Sequence, residues 1–277
     1  MTCYRHPDRE AYVRCQRCER LICPSCQVEA AVGFLCPDDA GQTGFAAAAS
    51  RAVPRSIQRR LNSDTPVVTW ALIIACTLVY GLQQLPGLYV TEKFVYVPLG
   101  TIIEPWRAIT AGFLHGSIIH LLVNMYSLYI FGGLVEQMLG RARYLALYLT
   151  AIFGGSVAVL WLGDVATPVL GASGAVFGLM AAYFVIARRL GANTGQLTGL
   201  IAINLVIGFM PGSNISWQAH IGGLIAGGLV AYVYTKTRGV NDTSKRRLTV
   251  GLIVAGLVGL AILGAIIHVP SNYLGIF

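Results

Sequence analysis

Long runs of apolar residues, separated by short polar segments, fill the last three quarters of the chain. A helix that crosses the roughly 30 Å hydrocarbon layer of a membrane needs about 20 mostly apolar residues. The pattern therefore predicts seven membrane-spanning helices. They lie at about 67–86, 116–137, 143–163, 171–187, 195–210, 216–236 and 248–268. The fourth and fifth are short, so they either cross a thinned layer or extend into their polar flanks.

Basic residues fall in alternate loops of this pattern. They cluster before the first span, between spans two and three, after span four, and between spans six and seven. The opposite loops hold only Lys93 and Arg107 of the chain's 20 Lys and Arg. Because cytoplasmic loops carry the excess of basic residues, we expect the N-terminus in the cytoplasm. Seven spans would then place the C-terminus outside.

Composition agrees with an all-α polytopic membrane protein. Only 12% of the residues are charged, against about 25% in soluble domains, and the mean hydropathy is +0.65. The net charge of +8 would suggest nucleic-acid binding in a soluble protein. Here the cations follow the loops, so we expect a lipid bilayer and no nucleic acid as partner. The Arg-over-Lys, Ala- and Gly-rich composition fits a multi-pass protein of a bacterial cell membrane.

The first 40 residues form a separate, cysteine-rich segment. It contains four pairs of potential metal ligands, each with two residues between its members: Cys3 and His6, Cys15 and Cys18, Cys23 and Cys26, and Cys36 and Asp39. This spacing lets both side chains of a pair reach one tetrahedral ion, so four pairs predict two structural zinc ions. The chain order allows a cross-brace, in which pairs one and three bind one ion and pairs two and four the other.

Residues 3–39 resemble a B-box-type zinc finger. Asp39 stands where that family usually has cysteine or histidine, and Asp38 is the alternative eighth ligand. A disulfide framework is the competing interpretation, but disulfides are rare in the cytoplasm. The arginines of the finger can meet acidic lipid or a protein partner, or simply form a solvated face: Arg5, Arg9, Arg14, Arg17 and Arg20. Residues 41–66 are predicted to be a basic linker.

Polar side chains inside the apolar spans are few, and three of them lie at one depth. With the N-terminus inside, spans two, four and six all begin at the outer surface. His120, Ser173 and His220 then lie within roughly 3 to 8 Å of those outer ends, at 1.5 Å per residue. Ionisable groups inside a membrane are costly and are usually functional. The pattern thus predicts a site near the outer face.

The residue types at this depth fit nucleophilic catalysis. A serine hydroxyl needs a base to take its proton and donors for the developing oxyanion. His220 is the candidate base, and no Asp or Glu lies near it in sequence, which predicts a Ser–His dyad. His120 and Asn124, with backbone N–H groups at Ser173 and Ala172, are candidate oxyanion donors. The competing interpretations are a histidine bonded to a carbonyl, an interhelical Asn124 contact, and a Gly/Ala/Ser cluster that only packs helices.

The combined motifs resemble the rhomboid intramembrane serine proteases. The motif residues are His115-x4-His120-x3-Asn124, Gly171-Ala172-Ser173-Gly174, Ala219-His220-Ile221-Gly222-Gly223, Trp106-Arg107, and Gly132-x3-Glu136-x3-Gly140. The resemblance covers about residues 67–236 and implies a six-helix core with Ser173 as nucleophile and His220 as general base. It further implies an oxyanion site at His120 and Asn124, and a structural outer loop at Trp106-Arg107. Its implied substrates are single transmembrane helices with a helix-destabilising stretch and a small residue at the cut.

Two parts lie outside that core, and two other functions compete. Residues 237–277 are predicted to form a basic cytoplasmic loop, a seventh span and a short outer tail.

A catalytically silent rhomboid-like binder or chaperone would usually lack the serine or the histidine. A transporter would be expected to carry acidic residues at mid-membrane, whereas Glu104, Glu136 and Asp164 lie at span ends. We also expect residues 210–214 to cap the site, and the glycines of span six to pack on span four.

Overall fold

A computed structural model describes residues 2–16, 18–29, 33–40, 65–210, 215–237 and 243–270. The chain divides into two compact units, Met1–Val53 and Pro54–Phe277. Most of the predicted linker and part of the predicted cap, residues 211–214, lie outside the described residues. The two units are considered one at a time.

The N-terminal unit is built from two short β-hairpins. Strand β1 (Val13–Arg14) pairs antiparallel with β2 (Leu21–Ile22), and β3 (Val28–Glu29) pairs with β4 (Phe34–Leu35). A 3₁₀ turn, Pro24–Cys26, and helix α1, Pro37–Ala40, complete it. Its buried apolar cluster consists mostly of cysteines. So little apolar surface cannot stabilise a fold of this size, which is why small domains of this kind need metal ions or disulfides.

The second unit is helical. Its elements in chain order are α2 (Val67–Gln83), α3 (Val90–Phe94), α4 (Arg107–Thr110), α5 (Ile118–Ser127), α6 (Gly133–Leu139), α7 (Arg141–Leu162), α8 (Ser173–Arg189), α9 (Gly195–Phe209), α10 (Trp217–Lys236) and α11 (Thr243–His268). A π-helical turn, Leu128–Gly132, joins α5 to α6. Each of the seven predicted spans overlaps a helix in the described residues, with ends that differ by a few residues. The largest difference is at α11, which begins before the predicted 248.

Three helices in the described part of the chain are long and apolar enough to cross a membrane: Ile118–Leu139, Arg141–Leu162 and Thr243–His268. Val67–Gln83 and Gly195–Phe209 are apolar but shorter. This length and composition, together with the buried polar groups below, is that of a helical membrane protein.

Helices α7, α8 and α10 form the centre of this unit, and glycines set their spacing. A methyl group at Gly223 of α10 would overlap the backbone of Gly174 on α8, and one at Gly227 would come within 2.5 Å of Gly178. Small residues permit such close approach of helices. The expectation that α10 packs on the fourth span through glycines is therefore met at these two positions.

Gly222 requires a correction, because it faces a different helix. A methyl group there would overlap the carbonyl of Gly154 on α7. Adjacent residues on a helix point about 100° apart, so Gly222 faces α7 while Gly223 faces α8. A substitution at Gly222 would thus push α10 away from α7, and not directly away from the serine-bearing helix.

The long loop between α2 and α5 is folded. Arg107 donates from Nη1 to the carbonyl oxygens of Glu92 at 2.8 Å and Val95 at 3.3 Å, and from Nη2 to Glu104 at 2.7 Å. The neighbouring Trp106 is half exposed. Arg107 thus ties three parts of the loop together.

Glu136 of α6 caps the start of α2. Its carboxylate accepts hydrogen bonds from the backbone N–H groups of Val68 at 2.9 Å and Thr69 at 2.7 Å, and from the Thr69 hydroxyl at 2.8 Å. The first N–H groups of a helix have no partner within it, and its dipole favours a negative charge there. A buried carboxylate from another helix meets both needs.

The last helix, α11, packs on α7 near its C-terminal end. Trp161 donates its indole N–H to the carbonyl of Leu260 at 2.9 Å, and its ring lies edge-on to His268 with 5.2 Å between centroids. The indole occupies the space that a side chain at Gly264 would need. This helix is therefore attached to the core by a directional bond as well as by apolar contact.

Candidate functional site

Ser173 is the first residue of α8, so its backbone N–H belongs to the helix end whose donors have no partner within the helix. The chain reaches it through Gly171, whose φ of 127° favours glycine. The Gly171 N–H donates to the carbonyl of Ala111 at 2.9 Å, which fixes the approach. Ala172, fully buried, is the N-cap. The local sequence thereby presents a hydroxyl beside free backbone donors.

His220 of α10 meets this serine. Its Nε2 lies 2.9 Å from Ser173 Oγ, although the two residues are 47 positions apart in the chain. The imidazole stacks on Phe177 of α8, with 4.2 Å between ring centroids and 15° between planes. Its Nδ1 is buried without a hydrogen-bond partner. Within the described residues the arrangement is a pair, because no carboxylate accepts from Nδ1.

His120 lies against Gly171, close to the serine. Its ring occupies the open side of Gly171: a methyl group there would lie 2.8 Å from His120 Nε2 and 3.8 Å from Ser173 Oγ. The Gly116 N–H donates to His120 Nδ1 at 3.4 Å. Since Nδ1 accepts, the proton of the neutral ring is on Nε2, which makes that atom a donor beside the serine.

Asn124 is buried and belongs to the same helix face as His120. Its side-chain amide donates to the carbonyl of His120 at 2.8 Å. No hydrogen bond joins it to Ser173 among the described residues. The structure thus connects Asn124 to His120, and the amide has a second N–H that this bond leaves free.

His115 lies behind His120 and is fully buried. Its ring is edge-on to that of His120, with 5.1 Å between centroids, and neither of its ring nitrogens has a hydrogen-bond partner. Its backbone is held by Gln83 of α2, which accepts from the His115 N–H at 3.0 Å and donates to its carbonyl at 3.2 Å. His115 therefore supports the position of His120.

Two residues of this site were not among the sequence predictions. Gln83 is a polar residue at the end of an apolar helix, and that position was its only signal. Phe177 lies four residues after Ser173, hence on the same helical face, but an aromatic residue in an apolar span carries no signal of its own. Gly174 was predicted and sits where the α10 backbone approaches α8.

The eight predicted metal ligands of the N-terminal unit form two clusters. Their members are Cys3, His6, Cys23 and Cys26 in one, and Cys15, Cys18, Cys36 and Asp39 in the other, with one ligand atom per residue and all four within 4.8 Å of one another. This grouping is the cross-brace that the chain order allowed. The two clusters can hold metal ions.

The donor atoms have the separation that a tetrahedral ion requires. With Zn–S bonds of about 2.3 Å, neighbouring ligand atoms should be about 3.8 Å apart. Cys18 and Cys36 are separated by 3.8 Å between sulfurs, and His6 Nδ1 lies 3.9 Å from Cys3 and 3.5 Å from Cys23. The cysteine- and histidine-rich donor set fits zinc.

Asp39, and not Asp38, belongs to the second cluster. Its Oδ2 lies 3.2 Å from the sulfur of Cys15 and 3.1 Å from that of Cys36. Burial raises the pKa of Asp39, but hydrogen bonds from the surrounding thiols outweigh this and leave that pKa below its usual value. Asp38 instead accepts from the Tyr4 hydroxyl at 2.8 Å.

The arginines of the finger have partners within it. Arg5 and Arg20 pair with Asp38 at 3.4 and 3.3 Å, and Arg9 donates to Ser25 at 3.0 Å. Arg14 donates to a backbone carbonyl at 2.9 Å, and Arg17 lies outside the described residues. These contacts fit a solvated face that stabilises the finger, and nothing in them points to a protein partner.

The fold and site together define a class: a helical membrane protein with a serine and a histidine in hydrogen-bond contact between two of its helices. A family model described as the rhomboid domain matches residues 103–237. The putative rhomboid protease YdcA of Bacillus subtilis is 33% identical over 135 residues, which are 47% of this chain and 67% of that protein. The chain belongs to the rhomboid family.

Other relatives share the same region to different extents. Rhomboid protease GluP of Bacillus subtilis is 37% identical over 177 residues, 61% of this chain. RHOMBOID-like protein 6, mitochondrial, of Arabidopsis thaliana is 40% identical over 139 residues, 47% of this chain. The chain matches 33% and 44% of the lengths of these two proteins. The rhomboid family model begins at residue 103 and so does not include the N-terminal segment with the two ligand clusters.

Proposed function

We propose that the chain is an intramembrane serine endopeptidase with Ser173 as nucleophile and His220 as general base. The observation that carries this proposal is the 2.9 Å contact between His220 Nε2 and Ser173 Oγ, made across two helices inside an apolar bundle. Three relatives are named as rhomboid proteases, one of them putative, which supports the same reaction class. A silent binder would not need this contact.

The reaction follows from the positions of the donors and acceptors. His220 Nε2 takes the proton as Ser173 Oγ attacks the scissile carbonyl, and returns it to the leaving amine. Water then attacks the acyl-enzyme and regenerates the hydroxyl. The Nε2–H of His120 and the backbone N–H groups at Ala172 and Ser173 are the proposed donors to the oxyanion. Asn124 positions His120 and contributes its free N–H.

The substrates in this proposal are transmembrane helices that contain a helix-destabilising stretch and a small residue at the cut. Cleavage would occur near the outer membrane face, since the loop charges predict that α5, α8 and α10 all begin there. Fusions of a reporter that is active only outside the cytoplasm, placed after residues 90, 190 and 277, test this orientation. The first and third should be active and the second inactive; the reverse pattern would contradict it.

The N-terminal clusters are proposed to bind two structural zinc ions, one per cluster, with Asp39 as the eighth ligand. Zinc would hold the hairpins together because the apolar cluster there is small. The ions take no part in peptide hydrolysis, since the donor sets are complete with four protein ligands each and leave no open position.

A serine-directed fluorophosphonate probe tests the proposed nucleophile. Wild-type protein should be labelled, and both Ser173→Ala and His220→Ala should lose labelling and the cleavage of a reconstituted transmembrane substrate. Ser127→Ala is the matched control, about 10 Å further along α5 than His120, and should behave as wild type. Labelling that persists in Ser173→Ala would overturn the assignment. Unlabelled wild-type protein that still binds substrate helices would favour the silent binder.

A further inference from the structure

A group of cations lies at the opposite end of the bundle from the serine. Helix α11 packs against both α7 and α10. Arg143 of α7, Arg246 of α11 and Tyr234 of α10 are close enough for their charges to interact. Arg189 of α8 reaches the same region, where its Nη1 lies 3.5 Å from Thr235 Oγ1. None of these residues takes part in the proposed reaction.

Arg246 is the unusual member of this group. Its side chain is only 7% exposed, and its Nε has no hydrogen-bond partner. Its terminal Nη2 makes one long contact, 3.4 Å to the hydroxyl of Thr243. A buried guanidinium normally has an acidic partner, because removing a charge from water is costly. Among the described residues, the charged group that interacts with Arg246 is another cation, Arg143.

The acidic residue at this end of the bundle is already engaged. Glu136 accepts three hydrogen bonds from the start of α2. Among the described residues, no salt bridge joins an acid to Arg143, Arg189 or Arg246. The three cations come from three different helices, so the fold, and not local sequence, brings them together. Within the described part of the chain, this arrangement has no counter-ion.

We propose that these residues, which we call the inner arginine site, bind a phosphate group. The site comprises Arg143, Arg246, Arg189 and the hydroxyl of Tyr234. Arginine's fixed fork of donors suits phosphate oxygens, and a phosphate would supply the partner that Arg246 Nε lacks. The site lies at the ends of apolar helices, so in a bilayer it would be near the lipid headgroups. The phosphate of an anionic phospholipid in the cytoplasmic leaflet meets the site there without leaving the membrane.

Arg246 and Arg247 provide a matched pair for testing the site. They are neighbours on α11 and carry the same charge, but Arg247 is exposed whereas Arg246 is buried. General attraction to an anionic membrane would be reduced equally by either substitution. A specific site would be weakened by Arg246→Gln alone. Arg143→Gln with Arg141→Gln is a second pair, in which both residues are exposed at the start of α7.

The experiment measures phosphatidylglycerol retained by the full-length protein in detergent, using native mass spectrometry with phosphatidylcholine as competitor. We expect the wild type to prefer phosphatidylglycerol. Arg246→Gln and Arg143→Gln should each weaken that binding about fivefold, the contribution of one basic residue near an anionic headgroup. Arg247→Gln and Arg141→Gln should change it less than about twofold. Equal losses in both members of each pair, or no lipid preference in the wild type, would overturn the proposal.

Two further arms distinguish the source of the phosphate and guard against misfolding. Inorganic phosphate at millimolar concentration, added to lipid-free protein, should raise the melting temperature less than phosphatidylglycerol does. A larger rise with inorganic phosphate, abolished in Arg246→Gln, would assign the same site to a soluble phosphate compound. If Arg246→Gln does not fold, the exposed Arg143→Gln decides: unchanged phosphatidylglycerol binding in that variant refutes the site.

Discussion

The two units of this chain hold their reactive side chains in position by different means. In the N-terminal unit, each ligand pair is set by a two-residue spacing, and the eight ligands lie within 37 positions of one another in a chain with very little core. In the helical unit, Ser173 and His220 are separated by 47 positions and meet only because α8 and α10 approach through glycines. Local spacing determines the first arrangement, and helix packing determines the second.

This difference determines where each unit is sensitive to substitution. Substitution of a metal ligand should disrupt the N-terminal unit. The helical unit should be disrupted by substitutions at helix-packing residues that never contact a substrate. The following predictions test that contrast.

Gly223→Ala should have the largest effect. The added methyl would overlap the Gly174 backbone, whereas one at Gly228 would meet only the Ala181 methyl at 3.6 Å. A displacement of about 1 Å at reacting groups can lower the rate about 100-fold. We therefore expect Gly223→Ala to lower kcat/KM for substrate cleavage about 100-fold, and Gly228→Ala to lower it less than about twofold. Similar losses of kcat/KM in both variants would show that glycine packing does not determine the relative position of Ser173 and His220.

Gly171→Ala should have the next largest effect. Its φ of 127° strains an alanine, and the new methyl would press on the His120 ring. Strain of about 1–3 kcal/mol would be relieved by displacing His120, which should lower kcat about tenfold. Gly81→Ala, which meets nothing within 4 Å, is the control. If Gly171→Ala kept the wild-type kcat, the assignment of His120 to the oxyanion site would be wrong.

Glu136→Gln should lower stability without reaching the dyad. The amide keeps an acceptor but loses the negative charge at the α2 N-terminus, at a cost of about 1 kcal/mol. Thermal unfolding in detergent should show a lower midpoint for Glu136→Gln. The midpoint should be unchanged for Glu92→Gln, which alters an exposed carboxylate on α3. An unchanged midpoint in Glu136→Gln would mean that the cap does not stabilise the fold.

Cys23→Ser should have the smallest effect on cleavage. It should reduce the zinc content from two ions to one, measured by elemental mass spectrometry, because each cluster has its own four ligands. Asp38→Asn, outside both clusters, should retain two. Cleavage should change less than about twofold in either variant, since the zinc ions take no part in hydrolysis. Loss of both ions in Cys23→Ser would show that the two clusters do not bind independently.

Position along each helix could be predicted from the sequence, whereas contact between helices could not. Counting residues from the start of each apolar segment placed Ser173, His120 and His220 at one level, since the helical rise is constant. It did not show which helix each face meets, which is why Gly222 was expected to face α8 although it faces α7. Gln83 and Phe177 were missed for the same reason. Their contacts depend on the arrangement of whole helices.

The N-terminal unit shows the reverse pattern. The two-residue spacing predicted the four ligand pairs, and the chain order allowed their grouping. The choice between Asp38 and Asp39 needed the position of α1. The two hairpins were not predicted, because strands of two residues leave no hydrophobic periodicity to read. The positions of the metal ligands depend on residues that are close in sequence, whereas the short hairpins leave no such pattern.

The paired glycines of α10 also bear on how the protein would respond to mechanical change in the membrane. A contact between two backbones contains no side-chain rotamers that can adjust when helices shift. The distance between α8 and α10 then changes only by rigid movement of a whole helix. Thickness or tension of the bilayer should therefore change the fraction of molecules with an assembled dyad, and leave the turnover of each assembled molecule constant.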